Sequence, residues 1–256
     1  MSQMCLALDS EISTRHLSCL ETGKAQPSRE MVVRLAEALQ ISLRDRNAFL
    51  VAAGYAPLYR ETTLDQPEME AALAALHLLL KQQEPYPGIV VDRYWNILRS
   101  NAGAERFLAL FPGCSSITPR NAIRLLFDPK GLRPFVANWE TAAARLIQRV
   151  HREVGANPWD KRMKAFLESL LGYQDVPSRW LLPDLDGAAS PLLTIDYRWN
   201  NRTLRIFSTL TTFSTAQDVA LQELRVESFF PADESTRAVL RRERNGRKGA
   251  RLDLAS

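Results

Sequence analysis

The chain is predicted to fold as an all-α N-terminal unit followed by an α+β unit built on an antiparallel sheet. Three observations carry that prediction. Residues 2–55 show helical periodicity interrupted by tight polar connections. The rest runs as a strand pair, several helices and then three strands, an order that suits an antiparallel sheet with helices on one side. A composition of 46% hydrophobic and 24% charged residues over 256 positions is globular and large enough for sizeable cores. No apolar run reaches the roughly 20 residues of a bilayer span, and Met1 to Ser10 lack a signal-peptide layout. Cys5, Cys19 and Cys114 offer neither a disulfide framework nor CxxC spacing. A reduced, cytoplasmic protein is expected.

Element by element, Leu6-Ala7-Leu8 belongs to a first helix that ends at the polar break Asp9-Ser10-Glu11. Ser13 stands as the N-cap of a second, with Leu17 and Leu20 on its buried face, and Gly23 stops it. Ser28 caps a third, where Met31, Leu35, Ala38 and Leu39 form one stripe. A fourth runs from about Arg44 to Ala53. After a strap at Pro57–Pro67, an amphipathic helix is expected over Glu68–Gln83, with His77 partly buried in it. Gly88–Asp92 and Trp95–Arg99 read as a hairpin around Arg93-Tyr94. Helices follow over Ala102–Leu110, Asn121–Phe127, Leu132–Glu153 and Pro158–Leu171. Pro177, Pro183 and Gly187 break the chain before strands at Leu192–Trp199, Thr203–Phe213 and Leu221–Phe229.

The run Ser2-Gln3-Met4-Cys5-Leu6-Ala7, continued by Ile12-Ser13-Thr14-Arg15-His16-Leu17-Ser18-Cys19-Leu20-Glu21-Thr22-Gly23-Lys24 and Pro27-Ser28, resembles the Xre and phage-repressor class of helix-turn-helix. Thr14, Arg15 and His16 fall in the first turn of the second helix, the part that enters the major groove in this class. Arg15 suits a guanine edge and Thr14 a thymine methyl or an acceptor. Ser13 caps the helix and can face a phosphate. The resemblance places Gln3 and Lys24 on the phosphate backbone and adds Ser18 and Arg29 to the DNA-facing set. The turn position commonly occupied by Gly is Glu11, so a strained left-handed residue is expected there. The class carries a basic helix ahead of this pair. Because the chain opens at Met1-Ser2, the domain over residues 1–57 is expected to lack it.

A narrower likeness begins at Ala52-Ala53-Gly54-Tyr55-Ala56-Pro57 and continues through Glu84-Pro85-Tyr86-Pro87 and Val91-Asp92-Arg93-Tyr94-Trp95-Asn96. It extends over Leu126–Pro134, Asn138-Trp139-Glu140, Phe207–Phe213, Gln217-Asp218-Val219 and Glu223–Pro231. In that order these motifs resemble the MmyB-like transcription regulators. The resemblance implies a helix-turn-helix fused to a PAS-like domain that holds a fatty acid or another apolar small molecule and mediates dimerisation. The expected division is a linker and connecting helix at 58–84, the PAS-like domain at 85–236, and, from its run of basic residues, a disordered tail at 237–256.

Large apolar side chains crowd the second domain, enough to wall a dry cavity fit for an acyl chain. Trp95, Phe107, Leu110, Trp139 and Phe207 are candidate walls, although for Trp95, Phe107 and Trp139 an ordinary core is the simpler reading. Asn96, Asn101, Arg133, Asn138 and His151 are candidates for a ligand head group or for satisfying backbone groups. Arg133 and Asn138 could as well brace a loop.

The formal charge of +4 describes the end of the chain, since Arg237–Ser256 holds seven basic and two acidic residues and everything before it carries −1. That tail could add non-specific attraction to DNA. His16, His77 and His151 lack metal-ligand spacing, and no GxSxG, Walker or GxGxxG motif occurs, so neither metal nor catalysis is expected. Cys5 and Cys19 are expected to pack as small buried thiols. The expectation is a homodimeric regulator of double-stranded operator DNA controlled by an apolar ligand. The alternative is a ligand- or partner-binding protein that has lost DNA contact.

Overall fold

The structure, a computed structural model, describes residues 2–114, 117–118, 120–183, 192–213 and 215–242. The chain divides into two compact units: Met1–Leu73 with Thr212–Glu223, and Ala74–Thr211 with Leu224–Ser256.

The first unit is helical, with α1 (Gln3–Asp9), α2 (Thr14–Glu21), α3 (Arg29–Ala38) and α4 (Leu43–Ala52). Ser2, Ser13, Ser28 and Ser42 cap them in turn, each hydroxyl accepting from the backbone N–H three residues on. Between α1 and α2, Glu11 takes φ 55°, the left-handed region. Leu17, Val32, Ala36, Leu43 and Leu50 form the core. Two expectations change here. The buried row of α3 is Val32 and Ala36, while Leu39 is 37% exposed. α3 packs against both α1 and α4, and the row between those neighbours lies one residue further round than the expected stripe. Nor do Cys5 and Cys19 form a buried pair: Cys5 is exposed and Cys19 half-buried, because α1 turns its Ala7 side inward.

The second unit carries a five-stranded antiparallel sheet in the order β2-β1-β5-β4-β3. Its strands are β1 (Gly88–Val91), β2 (Ile97–Ser100), β3 (Thr194–Trp199), β4 (Arg202–Thr212) and β5 (Arg225–Pro231). Its helices are α6 (Ala102–Leu108), α7 (Ala122–Phe127), α8 (Trp139–Ala156) and α9 (Lys161–Leu171), with α5 (Glu70–Gln82) running into it from the first unit. One apolar core joins sheet and helices, centred on Val91, Phe127, Ile147 and Leu170, all fully buried.

Differences from expectation have local causes. The second strand starts at Ile97, because Asp92 Oδ1 accepts from the N–H of Tyr94 (2.8 Å) and Asn96 (2.9 Å) and closes a turn in which Trp95 has φ 68°. Pro134 confines the expected start of α8 to a 3-10 turn, Arg133–Phe135, and Val136 bridges Tyr197 in extended form. Asp218 Oδ1 accepts from Ala220 and Leu221 N–H, which opens the helix α10 (Val219–Glu223) where a strand was expected. His77 is exposed, because α5 buries Leu76 and Leu80. Residues 234–242 are helical rather than disordered, started by Asp233 accepting from Thr236 N and anchored by buried Val239 and Leu240. The remaining tail, from residue 243, lies outside the described residues, as does Gly187. No described helix is long and apolar enough to cross a membrane.

Candidate ligand-binding site

A cavity of about 210 Å³ opens in the second unit between the inner face of the sheet and α6, α7 and α8. β1 and β2 contribute Ile89 and Ile97, β3 and β4 Ile195, Ile206 and Phe207, and β5 Phe229. Phe107 and Leu108 of α6, Ile123, Leu125 and Leu126 of α7, and Leu146 of α8 face them. Alternation sends Ile195 with Tyr197, Ile206 with Ser208, and Glu227 with Phe229 to one face, whereas Phe207, next to Ile206, lines the cavity out of that alternation. The walls are almost wholly aliphatic or aromatic, the environment an acyl chain prefers to water.

Four polar side chains interrupt them: Arg149, Tyr197, Ser208 and Glu227. Glu227 is 9% exposed, and Ser208 Oγ donates to its Oε1 at 2.7 Å. Burial pushes the Glu227 carboxyl above the usual carboxylate range, more strongly than the Ser208 bond and the charges of Arg149 and Arg225 lower it. Burial likewise raises the Tyr197 phenol. Arg149 is less basic than a free arginine, mainly through desolvation, opposed by Glu153 and Glu227. Its guanidinium lies 4.4 Å from the Trp95 ring centroid and pairs with Glu153 at 3.9 Å, too long for a hydrogen bond. Trp95 Nε1 donates to Glu153 Oε2 at 3.1 Å, while Arg225 Nη1 donates to Glu153 Oε1 at 2.5 Å. Ring and carboxylate together fix where Arg149 sits. Among the described residues Arg149 makes no hydrogen bond, so its donors are available at the cavity.

Of the residues singled out from sequence, Trp95, Phe107 and Phe207 line this cavity. Leu110, Asn96, Asn101, Arg133, Asn138 and Trp139 lie outside its lining. Asn101 caps α6 and takes four hydrogen bonds, with Gly88 N, Ala104 N, Leu80 O and Tyr86 O. Asn96 joins Asp92 and Asn121. Asn138 clasps β3 through Thr194 O and Asp196 N. Arg133 stacks 4.1 Å over Trp139 and donates to Gln174 O. Trp139 Nε1 donates to Leu126 O at 3.0 Å, and His151 Nε2 meets Trp180 O at 2.8 Å. Sequence reasoning missed Arg149, Tyr197, Ser208 and Glu227. A charged residue on a helix or strand reads as solvated until its opposite face is known.

In the first unit, Thr14 and Arg15 are exposed in the opening turn of α2, His16 and Ser18 half-buried. Ser13 Oγ accepts from His16 N at 3.1 Å. The side chains of Arg15, Lys24 and Arg29 make no hydrogen bond or ion pair among the described residues. Gln3 Nε2 donates to Glu21 Oε2 at 2.7 Å, tying α1 to α2.

A half-enclosed apolar chamber between an antiparallel sheet and packed helices, with one stacked arginine at its polar end, defines a small-molecule-binding domain of PAS-like type. The family model of the MmyB-like transcription regulator ligand binding domain matches residues 73–242, and the chain belongs to that family. Among solved structures it is similar to one entitled "Structure of an RNA-binding Light-Oxygen-Voltage Receptor", at 13% identity and a TM-score of 0.29. That likeness covers 97% of this chain and 56% of the other, little over half its length, and at such a score carries no argument. No curated protein matches the chain.

Proposed function

We propose that the chain is a dimeric, DNA-binding transcription regulator whose cavity takes a medium-chain fatty acid or similar apolar acid and thereby controls operator binding. The observation that carries the reading is the apolar cavity with Arg149 at its polar end, making no hydrogen bond among the described residues, within a domain of a ligand-sensing regulator family. Its 210 Å³ has room for roughly seven water-sized groups at ~30 Å³ each, a medium-length acyl chain rather than a long one. Trp95, Phe107 and Phe207 would hold the chain and Arg149 the carboxylate.

The exposed first turn of α2 supports duplex recognition, with Thr14 and Arg15 reading bases and Lys24 and Arg29 available to phosphates. One short helix reads too few bases for specificity, so two copies on two half-sites are expected. Ligand shifts the population of DNA-competent arrangements only if it binds them with different affinity. Selection of duplexes from a random pool with the whole chain, followed by fluorescence anisotropy with and without octanoate, tests this. Arg15→Ala should cost about 1–3 kcal/mol on the selected duplex and little on random DNA. Equal loss on both removes base readout. Should selection enrich nothing, the partner-binding reading takes its place, drawing on Met4 and Leu8 of α1, which are 76% and 78% exposed.

A further inference from the structure

The polar end of the cavity holds a guanidinium and a carboxyl that do not meet. Arg149 makes one long ion pair, with Glu153, and no hydrogen bond among the described residues. Among the described residues the one side-chain hydrogen bond of Glu227 arrives at Oε1 from Ser208, and none is made at Oε2. Both side chains line the same space, and no ion pair joins them although each feels the other's charge. We propose that a ligand carboxylate binds between them, paired with Arg149 on one side and accepting a hydrogen bond from a protonated Glu227 on the other, so that acid binding takes up a proton. This rests on the reading of the cavity as the ligand site.

Two carboxyls facing one guanidinium in a poorly solvated space cannot both stay ionised. One keeps a proton, and an O–H···O⁻ bond between them is short and strong. The proton goes to Glu227. Its charged form is penalised by burial, while the ligand carboxylate has Arg149 as counter-charge. Other charged groups leave this balance intact. Arg225, on β5, is paired with Glu153 on α8, and the Tyr197 phenol on β3 is neutral. Arg152, also on α8, lowers the basicity of Arg149 by like charge. Ser208 of β4 holds Oε1 and turns the carboxyl so that Oε2 is left for the ligand. In the balanced step the ligand enters as its anion, Glu227 takes one proton from solvent, and no covalent bond to carbon changes.

The test is isothermal titration of the whole chain with octanoate, in buffers of differing ionisation heat, from about pH 6 to about pH 9. Uptake should approach one proton per ligand above the native pKa of Glu227, with affinity falling about tenfold per pH unit there. The amide of Glu227→Gln donates the same bond without titrating, so its octanoate affinity should be flat with pH and its proton uptake nil. Octanol should bind wild type without proton uptake. Zero uptake by wild type throughout, or the same pH profile in wild type and Glu227→Gln, overturns the proposal. Octanol binding with no octanoate binding overturns the acid site alone. If neither binds, the reading of the cavity as a ligand site fails as well.

Discussion

Glu227 sits opposite Ile89 in the β1–β5 ladder, a register that turns a carboxyl into the cavity among aliphatic walls. A buried carboxylate without a hydrogen-bonded counter-ion costs stability, which is why burial raises its native pKa. Since the native pKa lies above the unfolded one, the folded state holds its proton more tightly. The stabilisation linked to that proton is complete below the ordinary carboxylate range and is lost as pH rises through the elevated native value. Glu227→Gln removes the titration. In urea unfolding without ligand, wild type should lose stability relative to the variant as pH increases. Parallel stability–pH curves for the two proteins would show that this carboxyl is solvated in the native state.

The connection between β4 and β5 is the element most informative about signalling. Phe207 and Ser208 lie on β4 and Glu227 on β5, yet the residues between, Thr212–Glu223, belong to the first unit. There Glu223 accepts from Arg44 Nε at 2.7 Å, and Arg44 also pairs with Glu61. Gln222 Oε1 accepts from Leu43 N at 2.8 Å, and Asp218 Oδ2 from Thr62 N at 2.9 Å. Strands that line the cavity are thus continuous in sequence with a segment fastened to α4. Arg44→Ala should loosen that fastening. Octanoate affinity should stay within about twofold, while the coupling of octanoate to DNA affinity, ordinarily ~1–3 kcal/mol in such systems, should shrink. Anisotropy of the selected duplex across octanoate concentrations measures it, and an unchanged coupling would exclude this route.

At this same scale lies the boundary of what sequence makes legible. Ser13, Ser28 and Gly23 announce α2 and α3 because caps and stops act within four residues, and the β-branched runs at 88–92 and 203–213 announce strands. Asp218 and Pro134 carried equally local signals, but the apolar runs beside them masked a short helix and a 3-10 turn. The cavity was half legible. Trp95, Phe107 and Phe207 stand out as large apolar groups, whereas Arg149 of α8 and Glu227 of β5, 78 positions apart, come to one space only where the helix packs on the sheet.

Over the whole molecule, the cavity lies entirely within the second unit, while the residues proposed to read DNA lie entirely within the first. Each unit has its own buried core, Leu50 and Ala36 in one, Val91 and Phe127 in the other. Energy supplied by a ligand therefore enters one unit first and reaches the other only through the coupling between them. At about a hundred times its Kd, an acid bound only to the native state stabilises by ~2.7 kcal/mol. Native-state hydrogen exchange resolves where that energy goes. Amides of Val90 and Val226, in paired central strands, should gain up to about hundredfold protection. Those of Leu17 and Leu50 should gain less, by a margin that reports the uncoupled part. Equal gains at all four positions would mean that the chain unfolds as one cooperative body. A regulator assembled that way could switch only by unfolding, so unequal gains are what a ligand-controlled shift between folded states requires.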